Sequence, residues 1–356
     1  MSFRDPEQST TYARLRFLEI RCSIRLSYAP LMHYKRGGLP QAVAADGGLG
    51  CGRGKRYNQA PQTPPAFPHE CMTLNTQTQK HRRFKRFLRA FTATPVEAER
   101  ALRAFMVSPV EAALWVPERI SQLHEYPPRY EPEPDWEARL HRWLAAPWPC
   151  PDRTKLDLFW ADITSKLQAQ GLQFGRQTYG EYSDAEISLA RAAWCTVLHQ
   201  HPLVVVETGV ARGVTSRIVL EALNRNDRGH LWSIDLPHLF KKNLHPQTGA
   251  AVSDSCRGRW TYIEGSSRRR LRSLLRSLVE VDLFIHDSLH TARNTRFEME
   301  QTLRVLAPGG VMIVDDISPH QAFFNFARDF PSLETLVCPH SDRVGSYFGL
   351  VHKPTK

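Results

Sequence analysis

Three aspartates follow two short apolar runs of the chain. Asp287 comes directly after the run at 281–286, Asp315 closes the run at 310–315, and Asp316 follows it. In parallel sheets the carboxyl ends of neighbouring strands meet at one edge. Carboxylate oxygens are the ligands that Mg²⁺ prefers, so the sequence predicts that these three residues hold a divalent metal. The alternative is that Asp316 caps the following helix while Asp315 pairs with an arginine.

Two histidines flank Asp287. An imidazole exchanges a proton readily near neutral pH, so we expect His290 to be a general base assisted by Asp287, and His286 to border a cofactor. The spacing of His286 and His290 resembles a zinc-peptidase helix. However, Asp287 stands where the catalytic glutamate would be and a strand precedes the motif, which excludes that chemistry. A helix-capping or core hydrogen bond is the alternative for His290.

A glycine turn follows the first β-rich run. Glu207 and Thr208 end this run, Gly209 and Gly213 follow, and Thr215 opens a helical stretch. The glycines allow close approach of a ligand, and the free N–H groups of a helix start face it. Because the glycines are four residues apart, this is not the dinucleotide fingerprint. We expect these five residues to bind a cofactor, although a purely structural turn would also explain the glycines.

Two further residues fit a nucleoside. Asp235 closes the second predicted strand, 26 positions after Gly209, where an acid can accept both hydroxyls of a ribose. Ser266 follows the third strand, where it either borders an adenine ring or simply caps the next helix. Together with the glycine turn, Asp235 indicates an adenosyl ligand.

Short β-rich runs alternate with helical stretches in the second half of the chain. This alternation predicts an α/β fold with a parallel sheet flanked by helices. Two closely spaced final strands predict a hairpin, which places one antiparallel strand in the sheet. The predicted strands are 203–208, 230–235, 259–264, 281–286, 310–315, 333–338 and 345–352, and the intervening helices are 213–225, 266–279, 294–306 and 319–330.

The first half of the chain has a different composition. Residues 1–71 are rich in Gly and Pro and are expected to be a disordered extension, with Met72 as an alternative start of translation. Residues 72–152 are predicted to be helical and then Pro-rich, and residues 153–356 to form the α/β domain. Within 79–90, basic and aromatic residues alternate as in an amphipathic helix. The three tryptophans of the Pro-rich segment predict that it packs against the following domain.

Composition limits the function classes. The chain has 356 residues, a formal net charge of +11 and no apolar run long enough for a membrane span. Its seven cysteines are irregularly spaced without a CxxC pair, so neither a disulfide framework nor a zinc knuckle is expected. Free cysteines are typical of a reducing, cytoplasmic setting.

Four runs of the sequence together resemble the class I SAM-dependent methyltransferases. They are VVVETGVARGVTSRIVLEAL, LWSIDLP, DLFIHDSLHTARNTRFEME and LAPGGVMIVDDI. The resemblance is closest to small-molecule O-methyltransferases of the macrocin and rhamnosyl type and to cephalosporin-hydroxylase-like proteins, and it covers about residues 175–352. It implies a Rossmann-like seven-stranded sheet with the last strand antiparallel. Arg212 and Ala292 depart from the usual pattern, so we expect them to alter the acceptor pocket.

The resemblance also implies roles for the residues above. Glu207, Gly209 and Gly213 would hold the methionine end of SAM, and Asp235 the ribose. Asp287, Asp315 and Asp316 match positions that bind Mg²⁺ in several relatives. We expect methyl transfer to a hydroxyl of a small metabolite or sugar.

Two other functions are also compatible with the sequence. One is an RNA methyltransferase that binds nucleic acid through the basic 79–90 helix, and the other is a non-catalytic SAM-binding protein. A homo-oligomer is compatible with all three functions.

Overall fold

Seven strands form one sheet in the order β3-β2-β1-β4-β5-β7-β6. The computed structural model describes residues 106, 108–122, 125–180, 182–239 and 241–355. β7 runs antiparallel to both of its neighbours, and every other strand pair is parallel. The strands are β1 (Val204–Thr208), β2 (His230–Asp235), β3 (Trp260–Glu264), β4 (Val281–His286), β5 (Leu306–Val314), β6 (Glu334–Pro339) and β7 (Tyr347–His352). The predicted α/β fold and its antiparallel hairpin are therefore confirmed.

Helices cover both faces of the sheet. In chain order they are α1 (Pro109–Gln122), α2 (Trp136–Trp143), α3 (Arg153–Ala169), α4 (Ile187–Gln200), α5 (Val214–Arg225), α6 (Ser267–Ser277), α7 (Ala292–Leu303) and α8 (Ala322–Asp329). Two 3₁₀ turns, Lys242–Gln247 and Asp254–Arg259, lie between β2 and β3.

Alternation along each central strand divides the core in two. In β1, Val205 packs with the cluster under α3, α4 and α5, whereas Val206 packs with the cluster under α6, α7 and α8. Successive strand residues point to opposite faces, so a continuous apolar run fits a strand buried on both sides. The central strands are buried on both faces, and this is why they appear in the sequence as short continuous apolar runs.

The fifth strand begins earlier than the sequence predicts. The predicted helix over 294–306 ends at Leu303, and β5 starts at Leu306 rather than at 310. Leu306 pairs with Val281 across a register shift, and Gly309 and Gly310 exchange backbone hydrogen bonds with Lys353. These pairings with neighbouring backbone extend the strand through a proline and two glycines, which local propensity alone disfavours.

The Pro-rich segment contains a helix that the sequence pattern did not predict. α2 occupies a stretch free of proline, and Trp136 packs edge-on against Phe348 of β7, with ring centroids 5.2 Å apart. Trp143 stacks on His352, while Trp148 stays 43% exposed. The expected packing of this segment on the sheet is therefore observed for two of its three tryptophans.

Two of the sequence predictions concern residues outside the described part of the chain. These are the disordered extension over 1–71 and the basic helix over 79–90. Among the described residues, no helix is both long and apolar enough to cross a bilayer.

Candidate functional site

The glycine turn lies where the ends of β1 and β4 touch. Gly209 has φ +88°, and a Cβ on it would lie 1.8 Å from the carbonyl oxygen of Asp287. Gly213 has φ +78° and precedes the first residue of α5, on which Thr215 is buried. Only glycine can occupy the first position, because both the conformation and the neighbouring backbone exclude a side chain.

Glu207 is a buried carboxylate with one satisfied oxygen. Its Oε2 accepts hydrogen bonds from Ser216 and Ser233, each at 2.6 Å. Its Oε1 has no hydrogen-bond partner among the described residues. Burial raises the pKa of Glu207 to about 7, although the two serine hydroxyls act in the opposite direction.

Asp235 lies over the glycine turn. Burial raises its pKa to about 6, while the backbone N–H groups of Val210, Ala211 and Leu236 oppose that rise by hydrogen bonding to the carboxylate. The acid at the end of β2 and the turn after β1 are thus in direct contact, as a ribose site requires.

Ser266 occupies the N-cap position of α6 without capping it. Its side chain makes no cap hydrogen bond, and its Oγ is buried without a partner in the described part of the chain. The capping alternative raised by the sequence is therefore not what this hydroxyl does. The Ser266 hydroxyl, close to Glu264 at the end of β3, is therefore available to bind a ligand.

Thr208 and His286 point into a buried network rather than toward the open edge. Both are fully buried and both bond to Glu298 of α7, Thr208 at 2.5 Å and His286 through Nδ1 at 2.6 Å. The pKa of Glu298 falls to about 2: burial opposes the fall, and the charge and hydrogen bond of His286 cause it. Thr295 contacts the other ring nitrogen of His286 at 3.0 Å.

Glu298 was not anticipated from the sequence. It lies near the end of the run DLFIHDSLHTARNTRFEME, but nothing in that run marks it as a site residue. Only the contact between α7 and the ends of β1 and β4 gives it a role.

Asp287, His290 and Asp315 converge at the ends of β4 and β5. His290 Nε2 lies 3.6 Å from Asp287 Oδ1, and one ligand atom from each of the three residues lies within 4.8 Å of the others. Their side chains are 27%, 28% and 13% exposed. Burial, and then the adjacent Asp315, raise the pKa of Asp287, so Asp287 is the member of the pair that more readily holds a proton.

His340 is a site residue that the sequence did not reveal. Its Nε2 lies 3.1 Å from Asp315 Oδ1 and its Nδ1 lies 3.0 Å from Oε2 of Glu186, the N-cap of α4. Burial works against the charged imidazole, but these two carboxylates raise the pKa of His340 to about 9. His340 is therefore a buried cation between two acids. It follows β6 in the hairpin, where no sequence motif marks it.

Asp316 turns toward the hairpin. Its φ is +44°, and its Oδ1 lies 3.5 Å from both Arg343 Nη1 and Ser346 Oγ. It shares a group of possible metal ligands with Asp315 and His340, whereas Asp287 belongs to the group with His290 and Asp315. The structure thus brings the predicted acids together in two overlapping sets. Arg343 is the arginine partner raised as an alternative, but it meets Asp316 rather than Asp315.

Arg212 of the glycine turn binds the segment that precedes α4. It is buried, pairs with Asp184 at 3.3 Å and donates to the carbonyl groups of Gln173 and Thr178. This arginine fastens the segment before α4 to the turn. Ala292 is the first residue of α7.

Comparison with known proteins adds to this geometry. Residues 206–317 match the sequence model of a family described as a methyltransferase domain. No curated protein sequence matches the chain.

Solved structures with a similar fold include a putative O-methyltransferase from Klebsiella pneumoniae, at 15% identity and a TM-score of 0.41, with 62% of this chain and 97% of that one covered. Another is the O-methyltransferase from Bacillus cereus in complex with SAH, at 14% identity and a TM-score of 0.41, with 63% and 98% covered. A third is the SAH-bound methyltransferase PaMTH1 of Podospora anserina, at 14% identity and a TM-score of 0.39, with 65% and 100% covered.

The family match spans the glycine turn, the strand ends and the acids described above. Residues 206–317, which match a methyltransferase domain, therefore run from β1 to β5 of the seven-stranded sheet and include the polar groups at their ends.

Proposed function

We propose that the chain transfers the methyl group of SAM to a hydroxyl of a small metabolite or sugar. The observation that carries the proposal is the placement of two sets of polar groups at one edge of a methyltransferase sheet. Glu207, Asp235 and Ser266 lie at the ends of β1, β2 and β3, and Asp287 and His290 lie beyond the adjacent β4. A cofactor set and a proton-accepting set stand side by side, as transfer between two bound molecules requires.

The first set fits the donors of SAM. The free Oε1 of Glu207 suits the ammonium of the methionine end, and Asp235 suits the ribose hydroxyls. The unpartnered hydroxyl of Ser266 suits a ring nitrogen of adenine. Gly209 and Gly213 leave room for the ligand beside the N-terminus of α5. When bound, SAM supplies a methyl group already activated by a sulfonium.

The second set handles the proton of the acceptor. His290 is partly exposed, and its Nε2 faces Asp287. We assign His290 as the base that takes the hydroxyl proton as the methyl group moves. Asp287 orients the imidazole through its contact with Nε2. Asp315 is already paired with His340, so it adds negative potential without competing for that proton.

A divalent ion is part of the proposal. Asp287 and Asp315 offer oxygen ligands close together, and Asp316 would complete the set by turning from Arg343. All-oxygen ligands favour Mg²⁺ over softer metals. Such an ion would lower the pKa of an acceptor hydroxyl. We place the reaction in the reducing cytoplasm, which fits the four described cysteines forming no disulfide.

Calorimetric titration with S-adenosylhomocysteine, with and without Mg²⁺, tests the cofactor. We expect saturable one-site binding that weakens in Asp235→Asn. A screen of hydroxylated small molecules with methyl-labelled SAM then tests the transfer. Folded protein that does not bind in either condition would contradict the proposal. Binding without turnover of any acceptor would favour the non-catalytic alternative.

A further inference from the structure

Two cysteines and two histidines meet on the face of the sheet covered by α3, α4 and α5. Cys150 Sγ lies 3.5 Å from Cys195 Sγ and 3.6 Å from His199 Nε2. One ligand atom each of His141, Cys150 and Cys195 lies within 4.8 Å of the others, and all three residues are buried. The rings of His141 and His199 are 5.0 Å apart between centroids. We call these four residues the thiol–imidazole cluster.

Three separate segments supply the cluster. His141 lies on α2, Cys150 lies between α2 and α3, and Cys195 and His199 lie on α4. The last two are four residues apart, which places them on one face of the helix. The cluster therefore joins the Pro-rich segment to a core helix, at a position where local sequence spacing gives no metal-binding signature.

His141 lacks the hydrogen bonds that a buried imidazole needs. It is 1% exposed, and neither of its ring nitrogens makes a hydrogen bond of normal geometry within the described residues, although the Cys150 thiol is close enough to interact with it. Leaving a buried polar group unpaired is costly, and such groups are rare in folded proteins. A ligand that accepts an electron pair from an imidazole nitrogen removes this cost.

We propose that the thiol–imidazole cluster is a structural Zn²⁺ site, with His141, Cys150 and Cys195 as three preassembled ligands and His199, which contacts Cys150, turning in as the fourth. Tetrahedral zinc with usual Zn–S and Zn–N bonds requires ligand atoms roughly 3.5–3.8 Å apart. The contacts of Cys150 Sγ with Cys195 Sγ and His199 Nε2 have this length. Two thiolates and two neutral imidazoles also balance the charge of Zn²⁺ inside the core.

Zinc binding releases two protons and involves no change of oxidation state. Two thiols lose their protons to solvent, two Zn–S bonds form, and each imidazole donates one lone pair. Thiolate and imidazole ligands select zinc over Mg²⁺. The site is closed by four protein ligands, so its role is to fasten α2 to α4 rather than to bind a substrate.

A disulfide is the competing occupant of this position. The sulfur atoms of Cys150 and Cys195 are 3.5 Å apart, well beyond a covalent S–S bond of about 2 Å. A disulfide would also leave both nitrogens of His141 unpaired. The geometry thus favours zinc over a disulfide, and metal analysis with peptide mapping distinguishes these two occupants.

The test begins with the metal content of the full chain purified without chelators. We expect one zinc per chain, measured by elemental mass spectrometry. Growth with Co²⁺ in place of zinc should give the visible d–d bands of tetrahedral cobalt and a thiolate-to-cobalt charge-transfer band. Cys195→Ser should lose the metal, and Cys338→Ala, a change at a buried cysteine of β6 outside the cluster, should keep it.

The wild-type chain supplies a readout even if Cys195→Ser does not fold. A strong chelator should lower its melting temperature, and added zinc should restore it. Metal-free protein whose melting temperature responds to neither would overturn the proposal. So would a Cys150–Cys195 disulfide in the peptide map of protein purified under reducing conditions, or zinc retained in full by Cys195→Ser.

Discussion

Two clusters of side chains that could hold a metal ion lie at opposite ends of α4, and they differ in composition and burial. The strand-end cluster, formed by Asp287, His290, Asp315, Asp316 and His340, is rich in oxygen and partly exposed. The thiol–imidazole cluster is rich in sulfur and nitrogen, and its members His141, Cys150 and Cys195 are buried while His199 is half-buried. α4 starts beside the first, because its N-cap Glu186 bonds to His340, and carries Cys195 and His199 of the second in its last two turns.

The two clusters differ in whether their charged and polar side chains have partners within the protein. In the strand-end cluster, His340 pairs with Asp315 and Arg343 with Asp316, so these two acids have protein counter-charges before any ligand binds. In the thiol–imidazole cluster, His141 has no such partner. An open, compensated cluster can exchange ligands during turnover, whereas a closed, uncompensated one needs a permanent occupant. Substitutions in the strand-end cluster should therefore lower turnover, whereas substitutions in the thiol–imidazole cluster should lower stability.

The largest expected effect is on turnover at the strand-end cluster. We expect His290→Ala to lower kcat by about 10³-fold, because it removes the proposed general base. Affinity for S-adenosylhomocysteine and the melting temperature should stay close to those of the wild type. Steady-state kinetics and calorimetry measure the two quantities. His201→Ala, at an exposed histidine after α4, is the matched control. Wild-type turnover in His290→Ala would remove this residue from the mechanism.

The thiol–imidazole cluster should give the opposite pattern. We expect His141→Ala to lower the free energy of unfolding by about 3 kcal/mol through loss of a metal ligand. Turnover per folded molecule should change by less than about threefold, since the cluster does not reach the acceptor. Urea unfolding followed by fluorescence measures the first quantity. A large loss of turnover in fully folded His141→Ala would break the contrast between the clusters.

The sequence predicted the strand-end acids because their positions follow from local patterns. Each of Asp235, Asp287 and Asp315 comes directly after or closes an apolar run, and parallel strands bring such positions to one edge. His340 and Glu186 contribute to the same edge but come from a hairpin and a helix start, where no period marks them. Their roles arise from contacts over a long sequence separation.

The thiol–imidazole cluster was missed for a related reason. The absence of a CxxC pair predicted no zinc site, yet the ligands proposed here are spread from His141 to His199 over two helices and a loop. Only Cys195 and His199 have a regular spacing. The Pro-rich segment that carries two ligands was expected to pack on the domain, but its helix α2 could not be placed from the pattern.

The third effect concerns cofactor affinity at β2. We expect Asp235→Asn to weaken binding of S-adenosylhomocysteine about 30-fold, because a charged hydrogen-bond acceptor for the ribose becomes a neutral amide. Glu264→Gln is a matched control, since Glu264 pairs with Asp235 in register at the end of β3 and is exposed. Its affinity should equal that of the wild type. Equal losses in both variants would indicate a general electrostatic effect rather than a ribose contact.

The smallest effect is a pH dependence of cofactor affinity. Without ligand, the pKa values of Glu207 and Asp235 are raised to about 7 and about 6. The ammonium and hydroxyl donors of the cofactor favour the ionised carboxylates, so affinity should rise about tenfold between pH 5.5 and 7.5. The free energy of unfolding of the ligand-free protein should instead fall as the pH rises. An acid whose pKa is raised on folding stabilises the fold at low pH, and that contribution is lost as pH rises toward the folded-state pKa.

Calorimetry of S-adenosylhomocysteine binding across this pH range separates the two carboxylates. Glu207→Gln removes the group with the higher pKa, so the remaining rise should shift to lower pH and reflect Asp235 alone. The same variant should bind more weakly at pH 7.5, where wild-type Glu207 is largely ionised, and differ less at pH 5.5. Affinity that falls with rising pH in the wild type would contradict the assignment of both carboxylates to the cofactor. It would also weaken the contrast drawn above, because the open cluster would then lack a neighbouring cofactor site.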